Sequence, residues 1–146
     1  MAFDHNLEQF IASMQALNRQ MRSAAFDQAQ QPITRVQWLL MRHLNRRGGR
    51  TIGQLADHLD VRASTMSQML DRLEKLGYLI RVQDVHDARV KIIQLTQSGI
   101  DMINQTESIW MEALSGPFEQ LSAEEKHMLT GLMTKLVNHL PRREDA

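Results

Sequence analysis

Apolar residues recur every three or four positions in the first segment of the chain, over residues 4–26. The series is Leu7, Phe10, Ile11, Met14, Leu17 and Met21. Because an α-helix brings positions three and four apart onto one face, this pattern predicts a single long helix with an apolar stripe along its length. The polar stretch at 27–32 ends in a proline and predicts a connector.

Two Thr and Gln pairs predict the starts of the next two helices. Thr34 with Gln37, and Thr51 with Gln54, have the spacing of capping boxes, in which each side chain satisfies the backbone N–H of the other residue. The apolar residues of the first of these helices are Val36, Trp38, Leu39, Leu40, Met41 and Leu44. We expect it to stop at the glycine pair 48–49 and the shorter helix after it to stop at Asp60.

A fourth helix is predicted over residues 63–76, and two β-prone runs follow it at 78–83 and 90–95. The inward positions of this helix are predicted to be Met66, Met69, Leu70, Leu73 and Leu76. The two runs are rich in branched residues, and the segment between them is short and polar, as a hairpin loop should be. Residues 34–96 therefore have the order of a winged helix-turn-helix: two short helices joined by a tight turn, then a hairpin.

The last third of the chain is predicted to be helical again. One helix starts near residue 97 and is expected to be interrupted at Gly116 and Pro117. A capping box of Ser122 and Glu125 opens the final helix, which Pro141 ends before a frayed tail at 142–146. The expected fold class is mainly α with a small β-wing (α+β). The amphipathic helices at 1–30 and 97–141 offer more apolar face than one small domain covers, which favours burial in a two-fold homodimer.

Composition narrows the class of protein. The chain has 146 residues and no cysteine, so we expect one domain without disulfides or thiolate metal ligands. No apolar run approaches the roughly 18 residues of a membrane span, and no secretory signal is visible, which favours a cytoplasmic protein with no membrane partner. The net charge is zero, yet residues 35–91 carry 11 Lys and Arg against 6 Asp and Glu. This basic centre is an expected footprint for nucleic acid.

The residues at the start of the fourth helix and off its apolar stripe are small, polar or basic, as close approach to DNA requires. They are Arg62, Ser64, Thr65, Ser67, Gln68 and Arg72. Gln reads adenine through paired hydrogen bonds, while Ser and Thr serve bases or phosphates. In the hairpin loop Arg89 stands beside Asp87, which predicts a loop-tip arginine held by a carboxylate and suited to a narrow minor groove. Arg50, with Arg46 and Arg47, is expected near flanking phosphates.

A wider set of residues resembles the MarR family of bacterial transcription regulators. The matching motifs are Leu55-Ala56, Ser64-Thr65-Met66-Ser67, Leu70-Asp71-Arg72-Leu73-Glu74, Gly77-Tyr78-Leu79, Arg81, Asp84, Asp87-Ala88-Arg89 and Leu95-Thr96 with Gly99. The resemblance implies a homodimer built from the first and last two helices, a fourth helix in the major groove and a wing arginine in the minor groove. It also implies a ligand-responsive repressor of a pseudo-palindromic operator, with a small aromatic effector near Trp38 and Met41. His86 and Ala88 depart from the family, since arginines are common there.

Simpler interpretations stay open for several of these residues. Trp38, Met41 and Trp110 also suit a core, the serines and Thr65 suit a helix cap, and the Asp87 and Arg89 pair suits an ordinary surface ion pair. The arginines at 46, 47 and 50 also complement a helix dipole. The six histidines lack the spacing of a helical zinc motif, so no metal or other cofactor is expected. A protein-binding adaptor is the rival function, and an enzyme is disfavoured because no phosphate loop or cysteine nucleophile is present.

Overall fold

The computed structural model describes residues 2–27 and 32–141. Its elements in chain order are α1 (His5–Phe26), α2 (Arg35–Arg47), β1 (Arg50–Thr51), α3 (Ile52–Leu59), α4 (Ala63–Lys75), β2 (Leu79–Gln83), β3 (Lys91–Leu95), α5 (Gln97–Glu119) and α6 (Ala123–Asn138). This is the predicted fold class, mainly α with a small β-sheet. The predicted tail at 142–146 and most of the predicted connector at 27–32 lie outside the described residues.

All of the predicted capping boxes are present. Thr34, Thr51 and Ser122 each accept a hydrogen bond from the backbone N–H three residues on. The side-chain oxygen of the Gln or Glu there accepts a second one from the backbone N–H of the cap residue. The predicted stops are also in place, because Gly48 ends α2 at φ +76° and Asp60 ends α3 in the left-handed region at φ +53°. These local signals set the ends of α2 and α3.

The wing contains one strand more than the sequence pattern predicts. The sheet is antiparallel, in the order β1-β3-β2, and β1 pairs Arg50 with Ile93. The sequence pattern predicts only a helix end at the glycine pair 48–49 and a helix start at Thr51, because two residues are too few to show an alternation. Gly49 allows this pairing, since a Cβ there would lie 2.5 Å from Cγ2 of Ile92.

The predicted interruption at Gly116 and Pro117 is wrong. Helix α5 continues through both residues to Glu119. Proline removes a single backbone donor, and here it falls in the last turn, where little helix remains to be disrupted. Bonds from Gln120 N to Pro117 O and from Leu121 N to Phe118 O, both 3.1 Å, then tighten the end of the helix. Helix α6 likewise ends at Asn138, before the predicted stop at Pro141.

The core lies between the helix-turn-helix, the sheet and α5. Its buried apolar residues include Leu40, Met41, Leu44, Leu55, Met66, Leu70, Leu73, Leu79, Ile93 and Ile103. Three of the inward positions predicted for α4 are thus buried, and Met69 packs against them half-buried. The inward position predicted for Leu76 is wrong. This residue is 41% exposed because it stands at the C-cap, where the helix has already turned away from the core.

Helices α1 and α6 keep their apolar stripes uncovered within the chain. Residues of α1 that remain exposed are Leu7, Phe10, Ile11, Met14 and Leu17, and those of α6 are Met128, Leu129, Leu132, Leu136 and Val137. Near its C-terminal end α1 is tied to α5 by a 2.9 Å hydrogen bond from Trp110 Nε1 to Met21 O. No helix within residues 2–27 and 32–141 is long and apolar enough to cross a membrane.

Candidate nucleic-acid interface

Helix α4 presents a polar face because its apolar residues all point to the core. Met66, Leu70 and Leu73 are fully buried at helical spacing, so the positions between them face outward. Of the predicted contact residues, Arg62, Ser64, Thr65, Gln68 and Arg72 are exposed, and Ser67 is half-buried. The structure thus brings the predicted residues of this helix together on one accessible surface.

The start of α4 differs from that of the other helices. Arg62 is its N-cap residue, and within the described residues its first turn has neither a side-chain cap nor an acidic side chain. The backbone N–H groups of a first turn carry partial positive charge and bind anions well. The end of α4 that carries Ser64 and Thr65 is therefore electrostatically suited to a phosphate group.

The loop between β2 and β3 is held in one shape by its own hydrogen bonds. Asp84 N donates to Val90 O at 2.9 Å, and Asp87 N donates to the Asp84 carboxylate at 3.2 Å. These bonds close the base of the loop and leave Val85, at 93% exposure, projecting from it. The loop is therefore organised before any partner is bound.

The Asp87 carboxylate accepts hydrogen bonds from both the backbone and the side chain of Arg89. Oδ1 of Asp87 accepts from Arg89 N at 3.0 Å and from Nε at 3.1 Å, and Oδ2 accepts from Nη2 at 3.3 Å. The Arg89 hydrogen bonds hold the pKa of the Asp87 carboxyl below its ordinary value. The Arg89 side chain is nevertheless 91% exposed. A fixed and accessible guanidinium is what recognition of a narrow, negative groove requires.

Arg81 on β2 connects the wing to α4, and our sequence reasoning gave it no role. Its Nη2 donates to Asp71 Oδ1 at 2.6 Å, and its Nε lies 3.5 Å from Glu74 Oε2. All three residues are among the motifs that resemble the MarR family: Asp71 and Glu74 lie in the 70–74 segment, and Arg81 is a motif position of its own. The contact was missed because spacing along the chain does not reveal a pairing between a strand and a helix face.

Arg50 belongs to β1 and not to helix α4. Its Nη1 donates to Gly49 O at 3.0 Å, and the residue is half-buried. Arg46, at the end of α2, is exposed. Contact of these arginines with flanking phosphates stays a prediction.

Trp38 and Met41 are core residues in this structure. Trp38 is 2% exposed and Met41 is fully buried. The Trp38 ring meets Trp110 edge-on at 4.8 Å and Phe26 at 6.1 Å, and the Arg42 guanidinium lies 4.8 Å above it. Burial is the main cause that lowers the pKa of Arg42. The simpler core interpretation accounts for both residues, and effector binding there stays a prediction.

The elements from α2 to β3 form a winged helix-turn-helix, the architecture of a class of DNA-binding transcription regulators. A family model for the MarR family matches residues 31–90. The HTH-type transcriptional regulator YsmB of Bacillus subtilis is 30% identical over 78% of this chain and 78% of its own length. YwhA of the same organism, also an HTH-type regulator, is 27% identical over 91% of both chains. The chain belongs to the MarR family.

Solved structures agree with this assignment. A MarR family protein from Bacillus stearothermophilus is 25% identical, with a TM-score of 0.74 over 94% of this chain and 97% of that protein. A point mutant of Staphylococcus aureus MepR bound to an oligodeoxyribonucleotide is 27% identical, with a TM-score of 0.67 over 96% of this chain and all of that one. This chain is thus a DNA-binding transcription regulator.

Proposed function

We propose that the protein is a ligand-responsive repressor that binds a pseudo-palindromic operator as a homodimer. In this proposal α4 is the recognition helix and enters the major groove, where its residues Ser64, Thr65, Ser67, Gln68 and Arg72 contact the DNA. The wing arginine, Arg89, enters the minor groove with Asp87 orienting it. Arg62 and Arg50 contact phosphates and add affinity without sequence information.

The Asp87 and Arg89 pair is the observation that carries this proposal. An ordinary surface ion pair would neutralise the arginine and hold it against the protein. Here the carboxylate two residues before Arg89 in the loop binds the guanidinium, and 91% of the Arg89 side chain still faces solvent. An oriented arginine loses less conformational entropy when it binds, which favours a role in recognition.

The uncovered helices support the homodimer. Between α1 and α6 lies an apolar groove of about 490 Å³, lined by Phe10, Leu129, Leu132, Met133, Lys135, Leu136 and His139. A two-fold dimer formed through this surface buries it on both copies. Such a dimer also sets two recognition helices about one turn of DNA apart. A second copy of this chain therefore suits this face and the proposed operator.

Release from the operator is proposed to follow from a change in the distance between the two recognition helices. An effector that prefers a dimer with the wrong spacing shifts the population away from the DNA-bound form. Support for a small aromatic effector near Trp38 and Met41 comes from the family resemblance, and the cluster of Phe26, Trp38 and Trp110 would have to open for it.

The test is duplex binding by the full chain, with operator sequences first selected from a random library. We expect selected duplexes to be inverted repeats and to bind two chains each. Affinity should fall steeply as salt rises, because each neutralised phosphate releases counterions. Fluorescence anisotropy with labelled duplexes measures affinity, and sedimentation velocity measures stoichiometry. Absence of any salt-dependent binding would favour the adaptor function and overturn the proposal.

A further inference from the structure

Leu79 of β2 shares the core with Leu70 and Leu73 of α4, and two polar contacts, three residues apart on the chain, also join α4 to the wing. The first is the turn after the helix, where Tyr78 N donates to Leu73 O at 3.0 Å. The second is Arg81, farther along the hairpin, which reaches back to Asp71 and Glu74 on α4. At about 3.3 Å per residue in a strand, the attachments are separated by roughly 10 Å. The core and the turn hold the base of the hairpin, and Arg81 adds a contact with α4 farther toward the loop.

The chemistry of Arg81 suits this second attachment. Its planar guanidinium meets two carboxylates, at 2.6 Å and 3.5 Å, and its side chain is only 28% exposed. Asp71 and Glu74 are three residues apart and therefore share a face of α4. Nη2 donates a hydrogen bond to Asp71, while Nε, which has no hydrogen-bond partner among the described residues, faces Glu74 at ion-pair distance, so two nitrogens of one planar group define the orientation of this contact. A lysine at 81 would keep the charge and lose that geometry.

We propose that Arg81 is a positioning residue that sets the wing hairpin against the recognition helix. With this angle fixed, Gln68 and Arg89 meet the two grooves of one duplex as a single rigid unit. Without Arg81 the loop end of the hairpin is held less firmly against α4, and part of the Arg89 contact energy is lost in ordering it. The inference rests on the proposed DNA-binding mode and adds a determinant that itself needs no contact with DNA.

The experiment compares the effect of one substitution in two backgrounds. Arg89→Ala is made in the wild-type chain and in the Arg81→Met variant, and affinity for the selected operator is measured by anisotropy at fixed salt. We expect Arg89→Ala to weaken binding about tenfold in the wild-type background and about twofold or less with Arg81→Met. This fold loss of affinity is called the Arg89→Ala factor. With Arg81→Lys it should lie between these two values. An equal factor in both backgrounds would overturn the proposal.

Lys75→Met is the matched control. It removes one positive charge from α4, and among the described residues Lys75 makes no ion pair. The Arg89→Ala factor should stay near tenfold in this background. If Lys75→Met reduced the factor as much as Arg81→Met does, loss of charge alone would explain the result and the positioning role would fail.

A second experiment alters the two carboxylates of α4 that Arg81 contacts. Asp71→Asn with Glu74→Gln keeps the shape of both side chains and removes the charges that hold Arg81. The Arg89→Ala factor should shrink here as well, which tests the proposal even if Arg81→Met fails to fold. If the wild-type chain binds no duplex, the proposed function fails. If it binds and the factor is constant in every background, the positioning role alone is wrong.

Discussion

The Thr96 hydroxyl donates a 2.6 Å hydrogen bond to the carbonyl oxygen of Gly77. Gly77 follows the C-cap of α4 at φ +82°, and Thr96 is the N-cap of α5, where its oxygen also accepts from Gly99 N at 3.1 Å. One side chain thus joins the end of α4 to the start of α5. This contact explains why a Leu-Thr-x-x-Gly sequence stands at this point.

Gly99 should tolerate no side chain. A Cβ at this position would overlap the carbonyl oxygen of Tyr78, which is backbone and itself accepts from Thr96 N. We expect Gly99→Ala to lower the free energy of unfolding by about 1–3 kcal/mol. Urea unfolding followed by circular dichroism, at constant protein concentration, measures this change.

Gly53→Ala is its control, since the nearest atom to a Cβ there is Thr51 Oγ1 at 3.9 Å. Because alanine favours a helix over glycine, stability should be unchanged or higher by up to about 1 kcal/mol. Equal losses in the two variants would show that the close approach of Gly99 and Tyr78 is not the cause.

Leu70 within α4 and Leu76 at its C-cap should respond differently to the same truncation. Leu70 is fully buried, so Leu70→Ala should cost about 2–5 kcal/mol of unfolding free energy through lost burial and a cavity. Leu76 is 41% exposed, and Leu76→Ala should cost about 0.5 kcal/mol or less. Thermal and urea unfolding check both values. A large loss at Leu76 would support the inward position that the sequence pattern predicted.

The wing pair should be visible in carboxyl titrations by NMR. Arg89 lowers the pKa of Asp87, so the charged pair is intact at neutral pH and is lost as the pH falls through that lowered value. Arg89→Ala should raise the Asp87 pKa toward the ordinary aspartate value. The Glu125 carboxyl, whose pKa the Ser122 backbone and side chain lower, should not respond. Ser122→Ala should give the reverse pattern, and an Asp87 pKa indifferent to Arg89 would contradict the observed contact.

Gln68 and Arg89 should affect DNA binding in different ways. Gln68→Ala should cost about 1–3 kcal/mol on the selected operator, change which base pairs are preferred, and leave binding to random duplexes within about twofold. Arg89→Ala should weaken operator binding and leave the dimer intact. Arg19→Ala, at an exposed position of α1 away from its apolar stripe, is the control for loss of one positive charge from another part of the chain. Equal losses on specific and random duplexes would argue against base readout by Gln68.

The sequence predicted those parts of the fold that local signals determine. Capping boxes at Thr34, Thr51 and Ser122 set helix starts because the partners are three residues apart, within reach of any sequence pattern. Strand β1 was missed because its partner, Ile93, is more than 40 residues away and two residues carry no periodicity. The interruption predicted at Pro117 was wrong because a proline near the end of a helix destabilises the helix less than one in the middle.

The candidate site followed the same division. The outward face of α4 could be predicted from the spacing of Met66, Leu70 and Leu73, and the pairing of Asp87 with Arg89 from their proximity in a short loop. The pairing of Arg81 with Asp71 could not, because it depends on how β2 crosses the helix. Long-range geometry of this kind is set by the packed core and leaves no periodic trace in the sequence.

The contact between Trp38 and Trp110 gives the molecule an internal optical reporter. The chain has two tryptophans, and both lie in this one edge-on pair, where α2 of the DNA-binding region meets α5. Trp110 also bonds to α1 through Met21 O. The tryptophan emission of the protein therefore comes from a single junction. Motion of the elements from α2 to β3 relative to α1 and α5, whether caused by DNA or by a small molecule, should change the wavelength or intensity of this emission without an added dye.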